Sequence, residues 1–412
     1  MADIYPFHAY RYSPHAGRLE DLVTQPYDKI TPAMQKRYLS LSPYNLVRVI
    51  LGERFPEDDG GNNVYTRATR YLEEWISAGI LVRDPAPCLF AYFQEFTVPE
   101  TGERLLRKGF IGLGAVEDYS AGIVHRHEHT LSGPKKDRLE LLRHTRTHFG
   151  QLFMLYPDSK GEVDSVLDEA AAGPATARVT DEYGAVHTLW RISEPVLIAS
   201  IQHAMADKKL VIADGHHRYE TALAFRNEHP ELQDAGKVMM TFVNLDSPGL
   251  RILATHRLVD QADTPALLTA ARSGFQLTEL SGQEGLLESW REPHPDRIRI
   301  GIAARGGGLW LLETARAAGQ LDISFLHERI LGGLLGIGEE DVRGEKRLRY
   351  IRGLEAALEE VREGRSALAF LLEPVPVHDV ARIAFSGGVM PQKSTDFYPK
   401  LLSGMTAYRI EK

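Results

Sequence analysis

The chain has 412 residues, 43% of them hydrophobic and 25% charged, which is too long for one small domain and too apolar for a disordered polypeptide. Lys plus Arg total 48 against 56 Asp plus Glu, a formal charge of −8, so broad non-specific attraction to nucleic acid or anionic membrane is disfavoured. Cys88 is the single cysteine, which excludes an intrachain disulfide and a multi-cysteine metal site; the absence of a secretory apolar core in Met1–Tyr10 and of a spanning apolar run makes a reduced cytoplasm the expected location.

Taken in chain order, Leu46–Leu51 reads as a buried strand, and Val64–Gly79 as an amphipathic helix closed by glycine. Leu89–Val98 and Phe110–Val116 flank the turn-prone Pro99–Gly102 and predict a hairpin. Lys135–Phe149 suits a helix, and Ala177–Ile192 alternates around Asp181–Gly184 as a second hairpin. A helix over Glu194–Ala206 is followed by an apolar strand, Leu210–Ala213, a glycine turn and a helix through Glu228. Val238–Leu245 and Ile252–Val259 enclose Ser247, Pro248 and Gly249, predicting a third hairpin. Past a softer boundary at Gln261, strands are expected at Arg297–Ala304, Leu309–Glu313 and Ala367–Leu372, with a charged helix over Gly353–Gly364 and a loop-rich Ser386–Lys400. The pattern is mixed α/β, an α+β arrangement, without an internal repeat or heptad array.

Chemistry concentrates at Asp214, Gly215, His216, His217 and Arg218, where a buried strand opens into a helix. Backbone N–H groups at a helix start hold anionic oxygens, glycine permits close approach, and arginine forks onto phosphate. Asp214 is also an ordinary helix-capping residue, and the two roles are compatible. Adjacent His216 and His217 point in different directions on a helix, so they lack the spacing of paired zinc ligands; at least one is a candidate phosphate donor or substrate-positioning residue, and His217 is the catalytic candidate of the two.

The run from Ile212 to Leu223 resembles the signature of an uncharacterised bacterial and archaeal family linked to SerK-like free serine kinases, and more broadly the ParB/sulfiredoxin superfamily. The resemblance takes in Pro26, Tyr27 and Asp28, the segment His127–Thr130, and Pro391–Lys400. It implies a ParB/sulfiredoxin-like core with elaborate N- and C-terminal additions. The expected regions are a mixed N-terminal part over 1–108, a nucleotide-binding catalytic core over 109–260, and a mixed C-terminal part over 261–412. It also implies nucleotide contact for Asp214, Gly215, His216, His217 and Arg218, with Asp214 helping to organise the Mg2+ that accompanies the nucleotide, whether ATP, ADP or CTP.

A second polar group comprises His125, His127, Glu128, His129 and Thr130, followed by Lys135, Lys136 and Arg138. In an extended segment the three histidines share one face, which makes a zinc site conceivable, but Glu128 lies on the other. A carboxylate near phosphate accepts the proton of an attacking hydroxyl, and by analogy with the essential glutamate of SerK-like proteins Glu128 is the base candidate. The bland alternative is an ion pair of Glu128 with Lys135, Lys136 or Arg138. Farther on, Lys393 can reach phosphate and Ser394 can donate a hydrogen bond, but Gln392 stands where a P-loop needs glycine, so a structural loop is the competing reading.

The expected function is a SerK-like, Mg-nucleotide-dependent phosphotransfer to or from serine, phosphoserine or another small hydroxylated metabolite. The alternatives are a nucleotide-binding regulator without transfer and a metal-dependent hydrolase. Small-molecule substrate and nucleotide are the expected partners, with neither membrane nor nucleic acid.

Overall fold

The computed structural model describes residues 2–128, 132–344 and 346–411. The chain divides into two units, one of Met1–Val98, Glu103–Leu250 and Pro399–Lys412, the other of Pro99–Gly102 and Arg251–Tyr398. Both mix helices with sheets, so the fold is α+β.

Apolar strands of two to twelve residues build the first unit's nine-stranded sheet. Its spatial order is Val124–His125, Leu210–Asp214, Leu152–Tyr156, Lys237–Asn244, Arg104–Ala115, Leu89–Thr97, Val186–Ile192 and Ala177–Thr180, with Ile4–Tyr5 also paired to Arg104–Ala115. The predicted hairpins at 89–116 and 177–192 form as antiparallel pairs. In the second of them Asp181 Oδ1 accepts the N–H groups of Tyr183 and Ala185, both at 2.9 Å, which fixes the turn. The third predicted hairpin does not form: Lys237–Asn244 pairs with Arg104–Ala115 and Leu152–Tyr156, whereas Arg251–Leu253 and Thr255–Val259 enter sheets of the second unit. Alternation marks a strand without naming its partner.

Phe110, Met154, Ile212 and Phe242 from the sheet share one core with Val163 and Leu167 of helix Glu162–Ala171, Ile201 and Met205 of helix Pro195–Met205, and Tyr219 and Ala222 of helix His216–Glu228. A smaller core joins Leu72 and Trp75 of helix Val64–Ser77 to Leu46, Ile50 and Phe149. Asn63 starts that helix with a reciprocal cap, its side chain accepting from Thr66 N and Thr66 Oγ1 accepting from Asn63 N. The expected strand at Leu46–Leu51 is instead a short helix, Val47–Ile50. Asn45 Oδ1 accepts the Val47 N–H and Asn45 Nδ2 donates to Asp21 O, so the side chain turns the backbone into the helical form that a short apolar run leaves open.

The C-terminal Pro399–Lys412 belongs to this unit. Tyr408–Arg409 pairs with Thr147–His148, Ser403 exchanges backbone hydrogen bonds with Thr24, and Gln94 Nε2 donates to Lys400 O at 3.0 Å. Buried Arg107 bonds Gln94 Oε1 and Pro399 O together. These ties set the position of the Lys400 side chain.

The second unit carries a six-stranded antiparallel sheet in the order Gln276–Glu279, Leu309–Ala315, Arg297–Ala304, Leu368–Leu371, Thr255–Val259 and Arg349–Arg352. Leu258, Leu286, Leu311, Ala357 and Leu371 fill its core. Among the described residues no helix is long and apolar enough to cross a membrane.

Candidate functional site

Strand Leu210–Asp214 is buried over its first four residues because it has neighbours on both sides, Val124–His125 in parallel and Leu152–Tyr156 in antiparallel. Its register against Leu152–Tyr156 shifts between Ile212 and Asp214, an irregularity that re-aims the strand end. Gly215 follows with φ +100° and occupies the N-cap of helix His216–Glu228. A Cβ there would lie 2.9 Å from Leu152 Cδ2 and 3.1 Å from Arg218 Nε and Nη2. Both the left-handed backbone and the approach of arginine therefore demand glycine.

Around Asp214 the side chains converge. Arg218 Nη2 donates to Asp214 Oδ2 at 2.7 Å, and Arg218 Nη1 donates to the Gln151 carbonyl. Lys400 Nζ, on a nearly buried side chain, lies 3.5 Å from Asp214 Oδ1. Burial opposes ionisation of Asp214, but the charges of Lys400, Arg218 and Lys29 outweigh it and hold the carboxyl well below the ordinary carboxylate range. Arg218 and Lys400 contact the carboxylate, while Lys29, itself 3.9 Å from Asp28, adds its charge from farther off, so cations outnumber carboxylates here. The first-turn N–H groups of His216, His217 and Arg218 add the positive end of a 13-residue helix.

His216 is buried at the helix start, and its ring meets that of His127 edge to face with centroids 4.7 Å apart. Burial drives both imidazoles toward the neutral form, His127 down to about 4. They form a buried, uncharged wall beside the charged cluster. Glu128, half-buried, follows His127 directly. The parallel rung Val211↔His125 sets the register on this side: Glu128 and Asp214 each stand three residues beyond it. His217 lies in the helix's first turn, its carbonyl accepting from Thr221 Oγ1 at 2.8 Å.

The remaining predicted residues are placed as follows. Lys135 pairs with Glu220 at 3.3 Å, as Arg126 does at 3.5 Å, and Arg138 pairs with Asp137 while covering the Tyr27 ring at 4.1 Å. His125 Nε2 bonds the Gly122 carbonyl at 3.1 Å, whereas the ring of His127 packs on that of His216; His129 and Thr130 lie outside the described residues. Lys393 and Ser394 belong to the second unit. There Arg257 Nη2 donates to Lys393 O at 3.0 Å and Ser394 Oγ donates to Pro391 O, bonds that shape a loop.

Sequence reasoning missed Lys400 as a partner of Asp214, Lys29 as a charge acting on it, and Gln151 as the anchor of Arg218. Lys29 directly follows the Pro26–Asp28 segment, which was the available signal. Tyr27, whose hydroxyl burial pushes up to about 12, lines with Arg138, Gly150 and Arg218 a cavity of ≈60 Å³ beside the cluster. That volume holds a few atoms and not a nucleotide.

A family model described as "Protein of unknown function (DUF1015)" matches residues 4–327. No curated protein matches the chain. Among solved structures, a conserved hypothetical protein from Pyrococcus furiosus is 9% identical, with a TM-score of 0.37 over 70% of this chain and 92% of that one. A free serine kinase in complex with AMP is 13% identical, with a TM-score of 0.36 over 67% and 83% of the two chains. SbnI with C-terminal truncation, from Staphylococcus aureus, is 9% identical, with a TM-score of 0.36 over 71% and 85%.

Proposed function

The chain belongs to the DUF1015 family, and from that premise we propose that it is a Mg-nucleotide-dependent phosphotransferase acting on serine, phosphoserine or another small hydroxylated metabolite in the cytoplasm. The observation that carries this reading is the positive cluster of Arg218, Lys400 and Lys29 around Asp214 at a helix start. Such a cluster binds a polyanion through charge-assisted hydrogen bonds and backbone donors. A free serine kinase solved with AMP is among the distant structural neighbours, and the ParB/sulfiredoxin-like core belongs to the same proposal.

In this reading the N–H groups of Gly215, His216, His217 and Arg218 receive phosphate oxygens, and Lys29 and Lys400 neutralise them. Asp214 suits a magnesium contact through Oδ1, the oxygen its cations hold less tightly at 3.5 Å. Magnesium bound with the nucleotide would spread the charge of the phosphate oxygens. Glu128 takes the proton of the substrate hydroxyl while its oxygen bonds to the terminal phosphorus and the bridging P–O bond breaks; His217 positions that substrate. Lys393 and Ser394, in the second unit, are further phosphate contacts in this proposal.

Incubation with ATP, ADP or CTP and serine or phosphoserine, followed by phosphorus NMR, tests the reaction. Transfer of phosphate between nucleotide and the small molecule is expected. Nucleotide binding without transfer would replace this reading with a regulatory one.

A further inference from the structure

The second unit holds a cavity of ≈660 Å³, within the range of small-molecule sites. Three potential ligands meet in its wall from separate elements: His294 in the loop after helix Gln283–Arg291, Asp322 at the start of helix Asp322–Phe325, and Glu373 just beyond strand Leu368–Leu371. One ligand atom from each lies within 4.8 Å of the others. All three side chains are partly buried.

Their hydrogen bonding is incomplete in a particular way. His294 Nδ1 lies 3.0 Å from the Glu292 carbonyl. A proton on Nδ1 donated to that carbonyl is the arrangement of a metal-ligating imidazole, which binds its ion through Nε2. Nε2 faces Glu373 Oε2 at 2.8 Å, an imidazole–carboxylate ion pair, and Glu373 Oε2 has no other hydrogen-bond partner. A proton on Nε2 makes this contact an ordinary hydrogen bond, and without that proton a metal cation held by both atoms would satisfy the two lone pairs. Asp322 Oδ1 is likewise buried without a hydrogen bond, although Arg316 Nη2 is 2.8 Å away in a bent ion pair. Arg299, at 3.4 Å from His294 Nδ1, has its Nε on Glu313 at 3.0 Å.

We propose that His294 Nε2, Asp322 Oδ1 and Glu373 Oε2 form a binding site for a divalent first-row transition cation whose remaining coordination positions open into the cavity. One imidazole and two carboxylates suit Zn2+, Mn2+ or Fe2+. Three ligands leave room for water or an organic ligand. The Glu292 carbonyl orients the imidazole, and Arg316 and Arg299 temper the negative charge. The site belongs to a different unit from Asp214 and stands whether or not that cluster binds nucleotide.

Zn2+ added to the chelator-stripped full chain without nucleotide is the test, read by competition with a chromogenic chelator. One equivalent is expected to bind. His294→Gln and Glu373→Gln should each weaken binding at least tenfold with the circular dichroism unchanged, while Arg382→Ala, a cavity residue outside the triad, retains it. X-ray absorption of the loaded wild-type chain should show a single imidazole among oxygen ligands. No stoichiometric zinc, unchanged affinity in a folded triad variant, or two or more imidazoles on the ion would each overturn the proposal.

Discussion

Arg218 folds back over Gly215 to bind Asp214 four residues earlier, Nη2 to Oδ2 at 2.7 Å. The pair closes only because position 215 lacks a Cβ, which would meet Arg218 Nε and Nη2 at 3.1 Å. Gly215→Ala is therefore expected to destabilise the chain by about 1–2 kcal/mol from the left-handed backbone alone, with more from the displaced arginine. Urea unfolding measures the loss. A midpoint equal to wild type would mean that the turn relaxes freely.

Lys29 and Arg218 separate charge from architecture. The Lys29 side chain is 34% exposed, whereas Arg218 is 15% exposed and tied to Asp214 and Gln151. Lys29→Ala should weaken ATP binding by about tenfold, the value of one charge-assisted contact, and leave stability nearly unchanged. Arg218→Ala should lower both. Calorimetric titration beside denaturant unfolding distinguishes the two, and an unaltered ATP affinity in folded Lys29→Ala would remove the lysine from the site.

Buried imidazoles set the acid response. Burial lowers His127 to about 4 in the folded chain, against the ordinary histidine value near 6.5 after unfolding. A depressed folded value gives stability that is complete above the unfolded value and is lost as pH falls toward the folded one. Stability should therefore decline from about pH 6.5 to pH 4, with Asp214, depressed by its cations, extending the loss at lower pH. His127→Phe keeps a ring against His216 and removes the titration. Its stability should fall less steeply over that window, by up to about 1.4 kcal/mol per pH unit, in urea unfolding at stepped pH.

Cys88 should be inert in the native state. Its side chain is fully buried, and burial foremost pushes the thiol up to about 11, so thiolate is scarce at neutral pH. A disulfide reagent should label it only after denaturant is added. Rapid labelling of the native chain would reveal local opening near the Phe7–Cys88 bridge.

The strand, glycine turn and helix around Asp214 were legible because each has a local signal: an apolar run, a residue free to take positive φ, and helical periodicity. The observed bounds, Leu210–Asp214 and His216–Glu228, lie within a residue or so of those expected. Lys400 was not legible as a partner of Asp214, since it stands 186 residues away and arrives there through the backbone ties of Pro399 and Lys400 to Arg107 and Gln94. Strand partnership was hidden for the same reason. Lys237–Asn244 alternates like half of a hairpin, yet its neighbours begin at residues 104 and 152. At Leu46–Leu51 the apolar run fitted strand and helix equally, and the Asn45 bonds decided it.

Glu128 carries the chemical half of the proposed function, and its test must separate a base from a structural ion pair. Lys135 and Arg138, two of its expected pairing partners, engage Glu220 and Asp137. The parallel rung at Val211↔His125 and the ring contact of His127 with His216 bring its segment along the strand that ends at Asp214. Glu128→Gln keeps size and hydrogen-bonding capacity and removes the basic oxygen. A general base contributes about 100- to 10,000-fold to turnover, so kcat should fall by that factor while nucleotide affinity changes little. The pH profile of kcat should lose its acidic limb as well, because that limb records protonation of the base. A structural ion pair predicts the opposite split, with unfolding at lower urea and kcat per folded molecule near wild type. Wild-type turnover in the folded variant would remove Glu128 from the reaction and leave the Asp214 cluster as a binding site alone.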